Sequence, residues 1–356
     1  MKRIRSIINW VIETSKQANK SWFYVISDFL KLRKRTLISK VEYTNYKLYN
    51  SNTAFRNSFL SMSKAWQLWE ILNPRVYACL ARDKYISHCV LNNANIPTSE
   101  LYLYYHPKLA CNTDCMAYNY DGVIDILKSK YVKQCVIKPS QDSAHGEGVI
   151  VSHTIEFNED NCILKRYDGT YIDLKRILQD TPLLFESLVQ QDNQLSKFNS
   201  SSVNTIRMMT ALYPDNTVKL FAAFIKIGRD GSDVDNAGAG GNVDAAIDIK
   251  SGKLYNAIEF NSWQNIVKIN NHPDSDAPIE GEYINNWNDI VCKICDYQAR
   301  IPQLKTIGWD VAITEDGPII IEINNWWDTT GQLFINRGWK NEVLDCYNSW
   351  INFNKR

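Results

Sequence analysis

Long apolar runs, low-complexity linkers and an excess of one charge are all missing from this chain of 356 residues. No stretch reaches the roughly 18 consecutive apolar residues that a membrane-spanning helix needs, and no small-residue cleavage site follows the apolar stretch near the start. We therefore expect a cytoplasmic protein. With 45% hydrophobic and 22% charged residues, the composition excludes disordered and collagen-like classes.

Cysteine is present, but not in the pattern of a disulfide framework. Nine cysteines stand at irregular spacing, and an odd number in a long chain without a recognisable signal peptide favours reduced thiols. Cys111, Cys115, Cys292 and Cys295 could be drawn as a zinc set, but the two pairs are far apart and the second lies on an apolar-periodic stretch. We predict buried thiols at these positions.

The net formal charge is only +1, but the charges are unevenly distributed. Residues 1–40 carry ten basic and two acidic side chains, and the remainder carries 30 basic and 37 acidic ones. A mildly acidic body argues against a nucleic-acid-binding core, so we expect no nucleic-acid partner. The basic residues instead form an N-terminal arm.

Two amphipathic helices are predicted in this arm, each with apolar residues at helical spacing. The two stripes are Ile4, Ile7, Ile8, Val11 and Trp22, Val25, Ile26, Phe29, Leu30. A basic helix bearing aromatic residues can lie on anionic lipid, which would place the protein peripherally on the inner face of the membrane. A helical cap packed on the rest of the chain explains the same pattern, and we favour that interpretation. Residues 41 to about 95 also have a helical pattern.

From about residue 96, short β-branched or aromatic runs alternate with helical stretches. Strands are predicted at residues 100–105, 134–138, 149–153, 162–167, 183–189, 206–213, 219–227, 309–314 and 318–324. Helices are predicted at residues 121–130, 173–179 and 286–300. This mixture indicates an α+β or mixed α/β fold with subdomains in close contact.

The strongest local pattern is a hairpin predicted over residues 308–325, with Asp316-Gly317 in its turn. If the turn centres on Asp316, Asp310 lies opposite Glu322, and strand alternation adds Asn324 to the same face. The same alternation predicts a buried opposite face formed by Val311, Ile313, Ile319, Ile321 and Ile323.

Two carboxylates and a carboxamide oxygen on one sheet face suit a hard cation such as Mg²⁺. Acidic neighbours across a ladder repel each other, and a bound cation removes that cost. A solvent-facing polar sheet surface produces the same alternation, and a two-carboxylate glycosidase is a competing chemistry to which Asn324 adds nothing. We predict a metal site formed by Asp310, Glu322 and Asn324.

A lysine and a small-residue loop form a second pattern. Lys138 ends a predicted strand, and residues 140–148 lead to the next strand. Backbone N–H groups of such a loop can close over phosphates, with the lysine as a mobile charge at its base. The spacing is not that of the GxxxxGK[ST] phosphate loop. Taken alone, the pattern also fits a plain surface hairpin with a solvated lysine.

Two more charged residues occupy notable positions. Lys84 precedes a predicted helix, where by itself it is an ordinary N-terminal charge. Glu186 is the single carboxylate in the apolar run at residues 183–189. A carboxylate in such a strand must be paired or must reach a ligand.

In this order, these motifs resemble the ATP-grasp superfamily. Together with the stretch SVNTIR at residues 202–207, the hairpin looks most similar to its sugar-transfer-associated branch, over about residues 80–335. The resemblance implies an ATP-grasp fold, in which two α+β subdomains clasp ATP after an N-terminal helical region. The expected division is a helical basic region at 1–75, a lead-in at 76–135, a lid subdomain at 136–190 and a metal-binding subdomain at 191–356.

The resemblance also implies roles for the nucleotide-side residues. Lys84 and Lys138 would contact the ATP phosphates, and Glu186 would bind the ribose or frame the adenine pocket. The backbone of Ser187 and Leu188 would read the base. The loop closing over the phosphates would contribute Ser140, His145, Gly146 and Gly148.

On the reaction side, the resemblance implies that Asp310, Glu322 and Asn324 hold Mg²⁺, usually as two ions. Arg207 and Lys138 are the expected catalytic residues. Arg207 would steady the γ-phosphate or an acyl phosphate, and a structural ion pair is the alternative for Arg207. Residues 235–244 resemble the family's second glycine-containing loop, near the acceptor, and a flexible hairpin is the alternative there.

The function implied is that of an ADP-forming ligase, in which a carboxylate attacks ATP and an amine or other nucleophile captures the acyl phosphate. The family context suggests surface polysaccharide biosynthesis, with a small-molecule or sugar-linked substrate. A kinase acting on a sugar or polyol hydroxyl is one alternative, and a catalytically silent nucleotide-binding scaffold is another. The carboxylate, the acceptor and the oligomeric state cannot be read from the sequence.

Overall fold

The computed structural model describes residues 2–109, 112–141, 146–158, 161–235 and 242–355. His145, predicted to contact the nucleotide, and residues 236–241 of the predicted second loop lie outside these ranges. Within them, no helix is both long enough and apolar enough to cross a membrane. The eight cysteines in these ranges carry free thiols.

The first 93 residues are helical, and polar residues cap these helices. Ser39 and Glu42 form a reciprocal capping box, and Ser21, Asn52, Ser61 and Asp83 each accept a backbone N–H at a helix start. The helices are α1 (Lys2–Ala18), α2 (Trp22–Thr36), α3 (Lys40–Asn45), α4 (Thr53–Ser58), α5 (Met62–Leu72), α6 (Cys79–Arg82) and α7 (Lys84–Asn93). Both predicted amphipathic helices of the arm are confirmed.

The remainder mixes strands and helices, which confirms the mixed α+β class. The strands are β1 (Leu101–Tyr105), β2 (Met116–Ala117), β3 (Cys135–Pro139), β4 (Ile150–Ser152), β5 (Thr154–Phe157), β6 (Cys162–Lys165), β7 (Tyr171–Asp173), β8 (Leu183–Glu186), β9 (Thr205–Leu212), β10 (Val218–Ile227), β11 (Asn242–Ile247), β12 (Leu254–Ser262), β13 (Asn265–Lys268), β14 (Thr306–Thr314) and β15 (Gly317–Asn324). The helices among them are α8 (Tyr120–Ser129), α9 (Leu174–Ile177), α10 (Asn193–Ser196), α11 (Trp287–Ala299), α12 (Gly331–Ile335) and α13 (Lys340–Asn354).

Three sheets organise these strands. A five-stranded sheet has the order β2-β1-β8-β3-β4, and a three-stranded sheet has the order β5-β6-β7. Both pack around one apolar cluster, together with α8 and α9. The largest sheet has seven strands in the order β13-β12-β11-β10-β9-β14-β15. The four-part division of the chain stays a prediction.

The two faces of the seven-stranded sheet differ. One face is apolar along its length and is covered by α11, through residues such as Ile225, Met208 and Trp309. The other face is covered at one end by α5, α12 and α13, with Phe224 and Met209 in that cluster. The remaining end of this second face carries charged side chains, and it forms the site described below.

The predicted β14–β15 hairpin is confirmed, and Asp310 does lie opposite Glu322. The prediction that Ile319 and Ile321 are buried with Val311 and Ile323 is wrong, because both are only partly buried while Ile320 is 1% exposed. The cause is an irregularity in the ladder: Asp310 pairs with Glu322, but Val311 pairs with Ile320. This β-bulge reverses the alternation on the turn side of the metal-site residues.

Three further expectations need correction. The helix predicted at residues 173–179 is a single turn, α9, because β7 extends to Asp173. The end of the predicted second loop belongs to β11, where Val243, Ala245 and Ile247 alternate into the core. Cys115 and Cys292 are exposed rather than buried.

Candidate active site

Three neighbouring strands place one charged residue each in a row across the large sheet. Arg207 on β9 is paired with Asp310 on β14, which is paired with Glu322 on β15. The Arg207 Nε and Nη2 atoms donate to the two Asp310 carboxylate oxygens at 2.6 and 2.9 Å. This bidentate geometry fixes the direction of both side chains. Lys226 on β10 adds a second cation, with its Nζ 3.1 Å from Asp310 Oδ1.

These groups stay charged although they are buried. Burial raises the pKa of Asp310, but the charges of Arg207 and Lys226 outweigh it and hold the pKa at about 2. Burial lowers the pKa of Arg207, and the nearby Asp310 more than reverses this. The pKa of Lys226 is likewise raised, since Asp235 and Asp310 outweigh burial. Two cations and a carboxylate therefore meet in a desolvated site, where electrostatic interactions are strong.

The predicted nucleotide-side residues gather next to this row. Lys138 Nζ lies 2.8 Å from Glu186 Oε2, which also accepts a hydrogen bond from Ser99 Oγ at 2.6 Å. The expectation that Glu186 is paired is thus confirmed. Lys84, the first residue of α7, places its Nζ 3.7 Å from Glu322 Oε1. Lys84 therefore joins the nucleotide side to the metal-site hairpin.

A small cavity of about 20 Å³ separates these groups. Its lining includes Lys84, Lys138, Glu186 and Glu322, so the structure brings four predicted site residues to one place. Sequence reasoning missed His88 and Ser99, which also line it. Neither lies in a pattern that marked it as functional.

The predicted metal ligands fit a hard cation by their donor chemistry. Asp310, Glu322 and Asn324 lie together, with Asn324 Nδ2 3.4 Å from Asp310 Oδ2. Asp310 Oδ1 already accepts from Arg207 and Lys226, and Oδ2 accepts from Arg207 and, at 3.4 Å, from Asn324, so a cation at Asp310 would replace one of these donors. Glu322 is partly exposed toward the cavity, with 32% of its side-chain surface accessible. Among the described residues, no three His, Cys, Asp or Glu side chains are grouped so that they could hold a metal ion.

The remaining predicted residues occupy the edges of the site. Ser140 is buried, and its Oγ donates to Asp83 Oδ1 at 3.1 Å while its carbonyl accepts the Lys84 N–H at 2.8 Å. Ser140 thus ties the base of the loop to α7. Gly146 and Gly148 have φ values of 76° and 75°, a region that favours glycine.

The base-reading prediction concerns Ser187 and Leu188. The Ser187 N–H already donates to the Glu100 carbonyl at 2.8 Å, and Ser187 Oγ accepts the Glu100 N–H at 3.0 Å. These bonds extend the edge of β8 toward β1. The contact with the adenine base therefore stays a prediction, and the backbone groups left to make it are mainly the Leu188 N–H and the Ser187 carbonyl.

Sequence reasoning did not single out Lys226, and it included Asp235 and Asp244 only as the ends of the predicted second glycine-containing loop. Asp244 is the single charge of β11, the same signal that marked Glu186, whereas β10 carries Lys219 as well as Lys226. Asp235 is buried and accepts hydrogen bonds from Thr205 through both its N–H and its hydroxyl. The low-dielectric end of the sheet thus holds more charge than the hairpin alone suggested.

The model of the sugar-transfer-associated ATP-grasp family matches residues 63–345. The chain belongs to this family. The match spans α5 through the first turns of α13, so the charged row and the nucleotide-side cluster both lie within it. ATP-grasp enzymes bind ATP and Mg²⁺ generally.

Solved ATP-grasp structures are similar to the chain at low sequence identity. An N5-carboxyaminoimidazole synthetase from Staphylococcus aureus complexed with ADP is 10% identical, with 81% of this chain and 58% of that chain covered and a TM-score of 0.44. A D-alanine-D-alanine ligase from Helicobacter pylori is 13% identical, with 78% of this chain and 64% of that chain covered and a TM-score of 0.43. The VanG D-Ala:D-Ser ligase from Enterococcus faecalis is 8% identical, with 76% of this chain and 62% of that chain covered and a TM-score of 0.42. The family member described here thus spans less than two thirds of each of these chains. No curated protein sequence matches it.

Proposed function

We propose that this ATP-grasp protein is an ADP-forming carboxylate ligase that uses ATP and Mg²⁺, in surface polysaccharide biosynthesis or modification. The observation that carries the proposal is the continuous charged row. Arg207 and Lys226 flank Asp310, Glu322 follows on the next strand, and Lys84 connects Glu322 to the Lys138 and Glu186 cluster. Nucleotide-side cations and the predicted metal carboxylates therefore belong to one cleft.

The reaction has two steps. A carboxylate oxygen of the substrate forms a bond to the γ-phosphorus of ATP, the bond from that phosphorus to the bridging oxygen breaks, and ADP leaves. An amine then attacks the acyl carbon, phosphate leaves, and the nitrogen loses a proton. Arg207 and Lys226 donate hydrogen bonds to the anionic oxygens of the phosphoryl group, and their fixed positions limit reorganisation during the reaction.

Lys84 and Lys138 would hold the ATP phosphates, and Glu186 would orient the nucleoside. Their existing ion pairs keep these side chains in position before ATP arrives. Asp310, Glu322 and Asn324 would hold Mg²⁺, most simply as two ions. When bound, the metal neutralises phosphate charge. Closure of the loop that begins at Ser140 would exclude water from the acyl phosphate.

The proposal is tested first by ATP binding. Calorimetry with and without Mg²⁺ compares the wild type with Glu322→Ala, and Asp316→Ala, an exposed turn residue of the same hairpin, is the matched control. We expect Glu322→Ala to weaken Mg²⁺-dependent binding by about tenfold or more, and Asp316→Ala to leave it unchanged. Absence of ATP binding in all three proteins would contradict the proposal.

Product analysis separates the ligase from its alternatives. Incubation of the wild type with ATP, a pool of carboxylic acids and a pool of primary amines should release ADP and phosphate in equal amounts. ADP without free phosphate, from a pool of sugars and polyols, would instead indicate a kinase. ATP binding without ADP from any of these pools would indicate a scaffold.

We further propose a cytoplasmic location with peripheral contact to the membrane through the basic arm. The exposed apolar residues of α1 and α2 support this, since Ile4, Ile8, Trp22 and Phe23 all face solvent beside basic residues. Each Lys or Arg near an anionic surface contributes about 1 kcal/mol. Cosedimentation with phosphatidylserine vesicles should weaken in an Ile4→Ser/Ile8→Ser variant. It should not change in Val267→Ser, an equally apolar substitution on β13, and unchanged binding in both would refute the membrane contact.

A further inference from the structure

Asp244 is a buried carboxyl group that accepts no hydrogen bond from the described part of the chain. It lies on β11 and is 1% exposed. Neither of its carboxylate oxygens has a hydrogen-bond partner among the residues that the structure describes. Burying such a group is costly unless something pairs with it. The reaction proposed above does not use Asp244, so its presence calls for another explanation.

Its position links Asp244 to the active site. Asp244 pairs across the ladder with Lys226, which pairs with Thr205, so all three lie on the charged face of the sheet. Lys226 does not neutralise Asp244 through a hydrogen bond, since its Nζ lies against Asp310 Oδ1. Asp244 therefore continues the charged row on the side away from the nucleotide.

The two sides of Lys226 carry different groups. Arg207 and Lys226 lie beside the metal-site carboxylate Asp310. Asp244 lies on the other side of Lys226. Burial is the main cause that raises the pKa of Asp244 well above its ordinary value, and the nearby Asp235 and Asp328 raise it further. Lys226 and Arg207 act in the opposite direction. A phosphoryl group beside Asp310 thus meets cations, whereas the β11 end of the charged face presents carboxyl groups.

We propose that Asp244 binds the ammonium group of the acceptor, so that the acceptor class is a primary amine carried into the site as a cation. This inference rests on the proposed ligase function and names its second substrate. An ammonium ion supplies both the charge and the hydrogen-bond donors that the two Asp244 oxygens lack. Since an ammonium nitrogen has no lone pair, it gives one proton to Asp244 before the neutral amine attacks the acyl carbon. A hydroxyl acceptor has no charge to offer a buried carboxylate, so the site discriminates against it.

The first experiment needs no turnover. Thermal unfolding is recorded in methylammonium chloride and in equal concentrations of tetramethylammonium chloride, which has the same charge but no N–H donor. Wild type and the exposed-acid control Asp316→Asn should be stabilised more by methylammonium, and Asp244→Asn should show no difference between the salts. Without salts, Asp244→Asn should unfold at a higher temperature than the wild type. Equal effects of both salts on the wild type, or a less stable Asp244→Asn, would overturn the proposal.

The second experiment uses the reaction. Hydroxylamine is an uncharged nucleophile that traps acyl phosphates, so it does not need Asp244 to bind. Asp244→Asn should therefore form hydroxamate from the carboxylate pool at a rate within about twofold of the wild-type rate. Its turnover with primary amines should fall about tenfold or more, the effect of one lost charge-assisted hydrogen bond. Equal loss of both products, or of neither, would overturn the role of Asp244. Absence of hydroxamate in the wild type would instead contradict the ligase function itself, so the two failures are distinguishable.

Discussion

At the scale of single residues, the buried charges of the active site stabilise one another. Asp310 lies between Arg207 and Lys226, whose side chains are only 13% and 9% exposed. Breaking a buried ion pair leaves an uncompensated charge and costs about 3–5 kcal/mol. We therefore expect Asp310→Asn to lower the free energy of unfolding by about that amount.

Glu322→Gln provides the comparison for Asp310→Asn. Glu322 is partly exposed and lies 3.7 Å from Lys84, so its neutralisation should change the free energy of unfolding by less than about 1 kcal/mol. Both substitutions should weaken Mg²⁺-dependent ATP binding. Urea denaturation and calorimetry on the same samples separate the two effects, and equal stability of both variants would show that the Arg207 and Asp310 pair does not support the fold.

His272 supplies a test of pH dependence. Its ring is 1% exposed, and Nε2 lies 2.9 Å from the Gly228 carbonyl at the end of β10. Burial lowers the pKa of His272 below its ordinary value of 6.5, although the Gly228 carbonyl and Asp274 act in the opposite direction. The unfolded chain then binds a proton that the folded protein does not, so the stability that neutral His272 contributes is full above about pH 6.5 and decreases as the pH falls.

We expect urea denaturation of the wild type to show this loss between about pH 7 and pH 5. A His272→Gln variant should lose less stability over the same interval, whatever its stability at neutral pH. The exposed His153 is the control, and His153→Gln should keep the wild-type dependence. A His272→Gln profile parallel to that of the wild type would assign the pH dependence to other groups.

The residue scale also shows what the sequence could predict. Asp310 and Glu322 were paired correctly because a short turn fixes the register of a hairpin. The contact between Arg207 and Asp310 joins residues 103 positions apart, and no local pattern predicts that β9 lies beside β14. Asp244 was assigned to a loop because glycines precede it, although alternation in β11 decides its position.

At the scale of elements, the strand predictions were correct for long apolar strands and failed where pairing with a neighbouring strand determines the structure. Predicted strands overlap β1, β3, β8, β9 and β10 within one to three residues at each end. The edge strand β13 and its neighbour β12 were missed, since their exposed polar residues interrupt any alternation. The bulge in β15 was missed as well, because only the partner strand reveals that one residue is unpaired.

The close approach of α12 to the sheet gives a prediction at this scale. A Cβ atom at Gly331 would meet the ring of Phe224 and would lie 2.7 Å from Trp339 Cη2. Gly331→Ala should therefore cost about 1–3 kcal/mol by overpacking. Since Phe224 pairs with Arg207 across β9 and β10, ATP turnover should also fall.

The comparison for Gly331→Ala is Gly169→Ala. A Cβ atom at Gly169 meets nothing within 4 Å, so that variant carries only the strain of a φ of 79°. Gly169→Ala should lose stability without loss of turnover per folded molecule. Chemical denaturation and ATP turnover measured on both variants check this, and equal turnover in both would show that α12 does not position the active-site face.

At the scale of the whole molecule, the N-terminal helices are joined to the catalytic sheet by buried polar contacts. The Asn73 amide donates to the Thr306 carbonyl at 2.8 Å and accepts the Lys305 N–H at 3.0 Å, where β14 begins. Gln332 on α12 accepts the Leu60 N–H at 2.9 Å and donates to the Leu60 carbonyl at 3.0 Å. Sequence analysis favoured a helical cap on the body, but it could not identify these contacts across more than 200 residues.

Gln332 therefore decides whether the helical region and the sheet unfold together. Gln332→Ala removes the partner of two Leu60 backbone groups and of the Trp339 N–H, and each unsatisfied buried group costs about 1–3 kcal/mol. We expect a large loss of stability and faster proteolysis between α2 and α5, ahead of cleavage in the sheet. The control Gln67→Ala removes an exposed glutamine of α5 and should behave as the wild type. If Gln332→Ala unfolds in the same single transition at the wild-type midpoint, the helical region is held by its apolar contacts with α13 and not by Gln332.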